Sequence, residues 1–224
     1  MSTHALQPAD PPVFREGVVT RLQAQAHNPE RISIFLDGMF WMGVHRDVLH
    51  HHAVCEGQVL PVTVQRAIYQ SELARQARSI ALRYLERRQR TVQEVRRRLE
   101  RAGFSEEIVE QVIAELKAQR YLDDLRYAQA YVEERLAGKG YGPRWLRHEL
   151  YRRGVPSAVV ETALASVLAR TSPLEVARPL AQRRWQLLRR QEPDRKKRQQ
   201  KLVAFLLRRG FSSEIAYMLL RELN

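Results

Sequence analysis

Three glycines carry a register that leaves this chain little choice of architecture. Gly103, Gly154 and Gly210 are preceded by Leu99, Leu150 and Leu206 at four residues, and by Val95, Leu146 and Leu202 at eight. One residue after them stand Phe104, Val155 and Phe211, and five after stand Ile108, Val159 and Ile215. The apolar matches continue as Val112, Ile113 and Leu116, then Ala163, Leu164 and Val167, then Leu219, Leu220 and Leu223. Charged residues occupy positions in between. Residues four apart share a helix face, so each glycine separates two amphipathic helices. It fits the position just past a helix C-terminus, where φ is positive and a Cβ would clash.

An earlier helix completes each unit. Ala77, Ala81 and Leu85 match Ala128, Val132 and Leu136, and these match Ala177, Ala181 and Trp185. The third copy is seven residues longer between its first two helices, and Gln191-Glu192-Pro193-Asp194 stands where the insertion belongs. Helix starts agree with this parsing. Thr91 and Glu94 form a capping box, Ser105 and Ser212 stand at N-cap positions, and Pro143 and Pro173 at first helical positions. Phe104 and Phe211 are placed to pack back over the first turn that follows them. The spacing predicts a mainly α fold: an elongated array of three tandem three-helix repeats over residues 65–122, 123–172 and 173–224.

The segment before the array has a different period. Residues 18–26, 31–37 and 40–44 read as strands of a small β-meander, with His27-Asn28-Pro29-Glu30 and Asp37-Gly38 as turns. Residues 47–54 read as a short helix closed by Gly57, giving a β-rich subdomain over 13–64. Residues 1–12, with Pro8, Pro11 and Pro12, are expected to be a disordered tail.

Charge narrows the class of partner. The chain of 224 residues carries 38 Lys+Arg against 25 Asp+Glu. Residues 1–70 hold five Arg and six Asp/Glu, so the whole surplus falls in the repeats, and the third repeat is the most basic. A one-sided surplus points to a polyanion. No apolar run is long enough to span a membrane and no secretory signal is visible, so a cytoplasmic protein without a membrane role is expected. The one cysteine, Cys55, leaves no internal disulfide.

Catalytic patterns are scarce, and no enzyme activity or cofactor is expected. Gly138-Lys139-Gly140-Tyr141-Gly142 lacks the spacing of a phosphate-cradling loop and reads as a flexible connection. His50-His51-His52 points three ways on a helix, so no metal site is assigned. Asp123-Asp124 precedes a helix and reads as an N-cap. The candidate binding residues are the basic runs on the second helix of each repeat. They are Arg96, Arg97, Arg98 and Arg101, then Arg144, Arg147, Arg152 and Arg153, then Arg195, Lys196, Lys197, Arg198, Lys201, Arg208 and Arg209. Stacked repeats would align them into a stripe suited to a phosphate backbone. Trp185 matches core positions, whereas Trp145 matches none and is expected at the surface.

These strings resemble the RecX family, regulators of the RecA recombinase. The resemblance rests on Tyr121-Leu122-Asp123-Asp124 with Tyr127-Ala128, and on Gly142-Pro143-Arg144-Trp145-Leu146 with Glu149-Leu150 and Gly154-Val155. It rests also on Lys201 with Phe205-Leu206 and Arg209-Gly210-Phe211-Ser212, and on residues 20–28, 30–38 and 47–49. Arg120 stands where a glycine is common in the family, and His50–His52 has no counterpart in it. The resemblance implies a non-enzymatic modulator that binds the RecA–DNA filament and restrains ATP turnover and strand exchange in recombination and DNA repair. Expected partners are the RecA filament and single- or double-stranded DNA without sequence preference, with the protein a monomer. The competing reading is a stand-alone DNA-binding protein or repressor using one basic helix.

Overall fold

The computed structural model describes residues 11–223, so the tail expected at 1–12 lies almost wholly outside the described residues. Two compact units are present. One runs up to Arg88 and includes Val95–Gln119; the other comprises Gln89–Glu94 and the chain from Arg120 onward.

The first unit opens with four antiparallel strands: β1 (Gly17–Gln25), β2 (Asn28–Leu36), β3 (Met39–His45) and β4 (Val59–Leu60), in the order β3-β2-β1-β4. Asp37 (φ 48°) and Gly38 (φ 78°) both take left-handed backbone, as a two-residue turn between twisted strands requires. The expected three-stranded meander gains β4, which pairs Leu60 with Gly17 and is too short to leave a period in sequence. Asn28, Pro29 and Glu30 belong to β2, not to the turn, which is only Ala26-His27. Helix α1 (Arg46–His51) stops short of Val54 because Ala53 turns left-handed at φ 47°. Val19, Ile34, Leu36, Val44, Val48, Val54, Leu60 and Ile68 form the core of this subdomain. Ile68 belongs to α2 (Val62–Glu86), a 25-residue helix that also serves as first helix of repeat one. Its buried Glu72 accepts from the Arg31 guanidinium at 2.8 Å, the His45 N–H at 2.9 Å and Gln76 at 2.8 Å. These three donors satisfy both buried carboxylate oxygens, which would otherwise be costly to take out of water. Helix α3 (Val92–Glu100) and α4 (Glu106–Ala118) complete the first repeat.

The second unit holds α5 (Asp124–Glu133), a π-helical turn (Glu134–Gly138), α6 (Pro143–Arg152), α7 (Ser157–Leu168), α8 (Pro173–Gln191), α9 (Arg195–Arg208) and α10 (Ser213–Leu223). Its two cores follow the predicted register: Ala128, Val132, Leu136, Leu146 and Leu150 in one; Ala177, Ala181, Trp185, Leu202 and Leu206 in the other.

Each anchoring glycine does the same work. Gly103, Gly154 and Gly210 have φ of 87°, 78° and 87°. Their N–H groups donate to Glu100, Tyr151 and Leu207, and the next residues, Phe104, Val155 and Phe211, donate to Leu99, Leu150 and Leu206. That is a Schellman motif with its apolar clasp, since both clasp residues are buried in every copy. The motif satisfies carbonyls at the helix end and turns the chain towards the third helix.

The second unit also shows how successive repeats meet. Gly154 lies against Gln93 in the first turn of α3, and Thr91 Oγ1 donates to the Arg153 carbonyl at 2.9 Å. Gly210 lies against Trp145 in the first turn of α6, with Gly142 N–H donating to the Arg209 carbonyl and Arg144 N–H to that of Gly210. The start of α3 therefore sits on the glycine that ends α6, and the start of α6 on the glycine that ends α9. A Cβ on Gly142 or Gly210 would overlap backbone atoms there.

Candidate functional site

The site is built on the second helices, and helix phase sorts its residues. Two positions before each glycine stand Arg101, Arg152 and Arg208, an arginine in every repeat, and all three are exposed. One position before stand Ala102, Arg153 and Arg209, which face inward, being buried or half-buried. The second position lies three residues past the core leucine and so falls on the apolar side of the helix.

The inward arginines hold the protein together. Arg153 donates to Glu149 at 3.2 Å and to the Tyr127 hydroxyl at 2.9 Å, and lies 4.8 Å from the Tyr131 ring centre. Arg209 donates to the Lys139 carbonyl at 2.6 Å and packs over the rings of Tyr141 and Phe205. Arg198 donates to the Glu192 and Pro193 carbonyls at 2.9 and 3.1 Å. These three predicted binding residues are thus engaged with the chain itself.

Others are in ion pairs that leave them accessible. Arg96 pairs with Glu110, Lys201 with Glu192 at 2.6 Å, and Arg152 with Glu149 at 2.9 Å. Arg147 grips Glu161 through two nitrogens at 2.6 and 2.9 Å, and the Tyr151 hydroxyl adds a third bond at 3.0 Å. Those bonds, Arg147's foremost, hold the Glu161 carboxyl down to about 2. Burial pushes Glu149 up, but hydrogen bonds and charge from Arg152 and Arg153 prevail and hold it below the usual carboxylate range. Burial, more than neighbouring charge, raises the Tyr131 phenol.

Arg97, Arg101, Arg144, Arg195, Lys196, Lys197 and Arg208 are exposed, and Arg98 is half-buried. Lys197 and Lys201 share one face of α9, and Arg101, one residue past α3, donates its N–H to the Arg97 carbonyl and so continues the face of Arg97. Exposed Arg183, Arg189 and Arg190 on α8 extend the basic set beyond the predicted residues. Their signal is the charge of the third repeat, which its second helix does not account for alone.

The remaining singled-out residues find structural positions. Asp123 caps α5 through the Arg126 N–H at 2.9 Å, while Asp124 reaches across to the Val92 N–H at 2.9 Å and caps α3. The run Gly138–Gly142 is no flexible connection. Gly140 (φ 64°) abuts Leu180, Tyr141 N–H donates to the Arg135 carbonyl, and Arg209 pins Lys139. Trp145 is half-buried, stacked 3.8 Å from Tyr141 and packed on the second repeat's core, a correction to its expected surface place. Its contact with Gly210 is made by backbone and Cβ, as Gln93 meets Gly154, while the ring packs against Tyr141. His52 Nε2 lies 2.9 Å from Ser71 Oγ, and burial with the adjacent His51 lowers its pKa.

Fold and site together define a helical-repeat protein with a β-sheet subdomain at its N-terminal side and exposed basic residues on its repeated helices. Comparison with known proteins gives the family. RecX sequence patterns match throughout: the regulatory protein RecX N-terminal domain over 17–61 and the first, second and third three-helix domains over 77–116, 123–164 and 172–220. Regulatory protein RecX of Staphylococcus carnosus is 31% identical over 92% of this chain and 76% of its own. That of Clostridium acetobutylicum is 27% identical over 92% and 96%. A crystal structure of regulatory protein RecX superposes with a TM-score of 0.76 at 27% identity, covering 91% of this chain and 98% of that one. RecX from Lactobacillus salivarius gives 0.63 at 25% identity over 68% and 97%. The chain belongs to the RecX family.

Proposed function

We propose that this protein binds the RecA–DNA filament in the cytoplasm and restrains RecA's ATP hydrolysis and strand exchange, without chemistry of its own. Membership of the family in all four domains carries the reading, and the relatives are named as regulatory proteins. The recurrence of an exposed arginine at one position of every repeat supports a contact with a polymer of repeating negative charge. Arg101, Arg152 and Arg208 supply that contact, with Arg97, Arg144, Arg195, Lys196, Lys197 and Lys201 around them.

The test is RecA ATPase on single-stranded DNA, titrated with this protein at two ionic strengths. Wild type should inhibit, and less at the higher salt, because exposed charges are screened. Arg101, Arg152 and Arg208 changed together to Ala should lose inhibition with the helical signal intact. A wild-type protein that leaves RecA turnover untouched would refute the reading. A sequence-specific footprint on duplex DNA without RecA would favour a repressor instead.

A further inference from the structure

A small cavity of about 50 Å³ opens in the second unit, lined by Gln89, Arg90, Arg120, Tyr121, Asp123, Arg126 and Tyr127. Three of the seven lining residues are arginines. The one carboxylate among them, Asp123, already accepts the Arg126 N–H as the cap of α5. Arg90 is engaged within the chain, with Glu94 at 3.8 Å among its partners, and is left out of the balance. Arg120 and Arg126 are exposed, and among the described residues neither side chain has a hydrogen-bond or ion-pair partner. The surplus at the cavity is positive.

The backbone gives a second, independent sign. Arg120 has φ 59°, a left-handed conformation that glycine takes freely and a residue with a Cβ takes at a cost. Strain held by a long cation at the mouth of a cationic cavity is strain with a use. A third sign is Tyr121 beside it, with 56% of its surface exposed. An exposed ring on a cavity that arginines also line is a combination on which a base can stack while its phosphate is held.

We propose that this cavity binds one backbone phosphate of single-stranded nucleic acid, with Arg120 and Arg126 on the phosphate oxygens and Tyr121 beneath the adjoining base. Its volume is several times what one water needs and suits one tetrahedral oxyanion, while a base must remain outside. The planar fork of arginine donates two parallel bonds to such an anion. This rests on the function proposed above only in taking nucleic acid as the source of the anion.

The experiment uses the full chain and fluorescein-labelled oligo(dT), without RecA, followed by anisotropy over a range of salt. Wild type should bind, and Arg120→Gly and Arg126→Gln should each bind about tenfold more weakly, as loss of a charged hydrogen bond implies. Each should also flatten the slope of log affinity against log salt by about 0.7. Tyr121→Ala should weaken binding with the slope unchanged. Because glycine suits the backbone at 120, Arg120→Gly should melt no lower than wild type, which separates lost binding from lost folding. Wild-type affinity and slope in both arginine variants would overturn the site, as would absence of oligo(dT) binding by wild type. Unchanged oligo(dT) binding with lost restraint of RecA would also overturn it, assigning the cavity to a carboxylate of a protein partner. Since RecA is absent from the binding assay, failure here leaves the filament reading standing.

Discussion

Arg120 imposes a cost on its own fold, since its left-handed backbone follows the Gln119 cap of α4, at the place where a helix is best ended by glycine. Arg120→Gly should therefore raise stability by about 1 kcal/mol in urea or thermal unfolding. Neighbouring arginines divide just as sharply. Arg209→Ala removes the bond to the Lys139 carbonyl and two ring contacts and should cost about 2 kcal/mol. Arg208→Ala, one residue away and exposed, should change stability by less than about 0.5 kcal/mol. Urea unfolding of both variants checks the pair. Glu161 contributes a dependence on pH. Its carboxyl titrates near 2 in the folded protein, below its ordinary 4.5. The stabilisation from Arg147 and Tyr151 is then present above about pH 4.5 and disappears as acid carries the pH down through 2. Glu161→Gln should flatten unfolding free energy against pH in that window. The identities of these cations were plain in the sequence, but their directions were not drawn from it. Arg152 and Arg153 look alike as letters, although the second lies three residues past Leu150 and so turns towards the core.

At the scale of elements, the glycine that ends each second helix has two separate reasons to be glycine in the later repeats. One is local, the positive φ of the Schellman turn, and sequence spacing reveals it. The other is tertiary. Gly210 meets the backbone of Trp145, and Gly154 meets Gln93, contacts between residues more than fifty apart in sequence. Gly210→Ala should thus cost more than a backbone penalty alone, at least about 2 kcal/mol, read as a fall in urea midpoint at constant slope. The same separation explains what else escaped sequence reading. Periodicity exposes an element of nine or more residues, and the three-helix repeats were legible to their core positions. The two-residue β4 has no period to expose, and the locked turn at Gly140 depends on Leu180 and Arg209 arriving from elsewhere.

For the whole molecule, the surplus of cations predicts that the proposed restraint of RecA weakens with salt, whichever arginines dominate. An ATPase titration repeated across a salt series should shift to higher protein concentration at each step. The second helix of the third repeat begins differently from its two counterparts. Twelve residues before its glycine, the first repeat has Thr91 and the second Gly142, each the N-cap from which the helix begins. The third has Arg198 at that position, already inside α9, which starts a turn earlier at Arg195. Arg198 closes over the carbonyls of Glu192 and Pro193, and Lys201 ties down Glu192. The ledge on which a following glycine would rest is therefore roofed by the insertion. A glycine brought to α9 as Gly154 is brought to α3 would meet that clasp instead of an open helix start, so the added turn closes the docking step that the two earlier helices use.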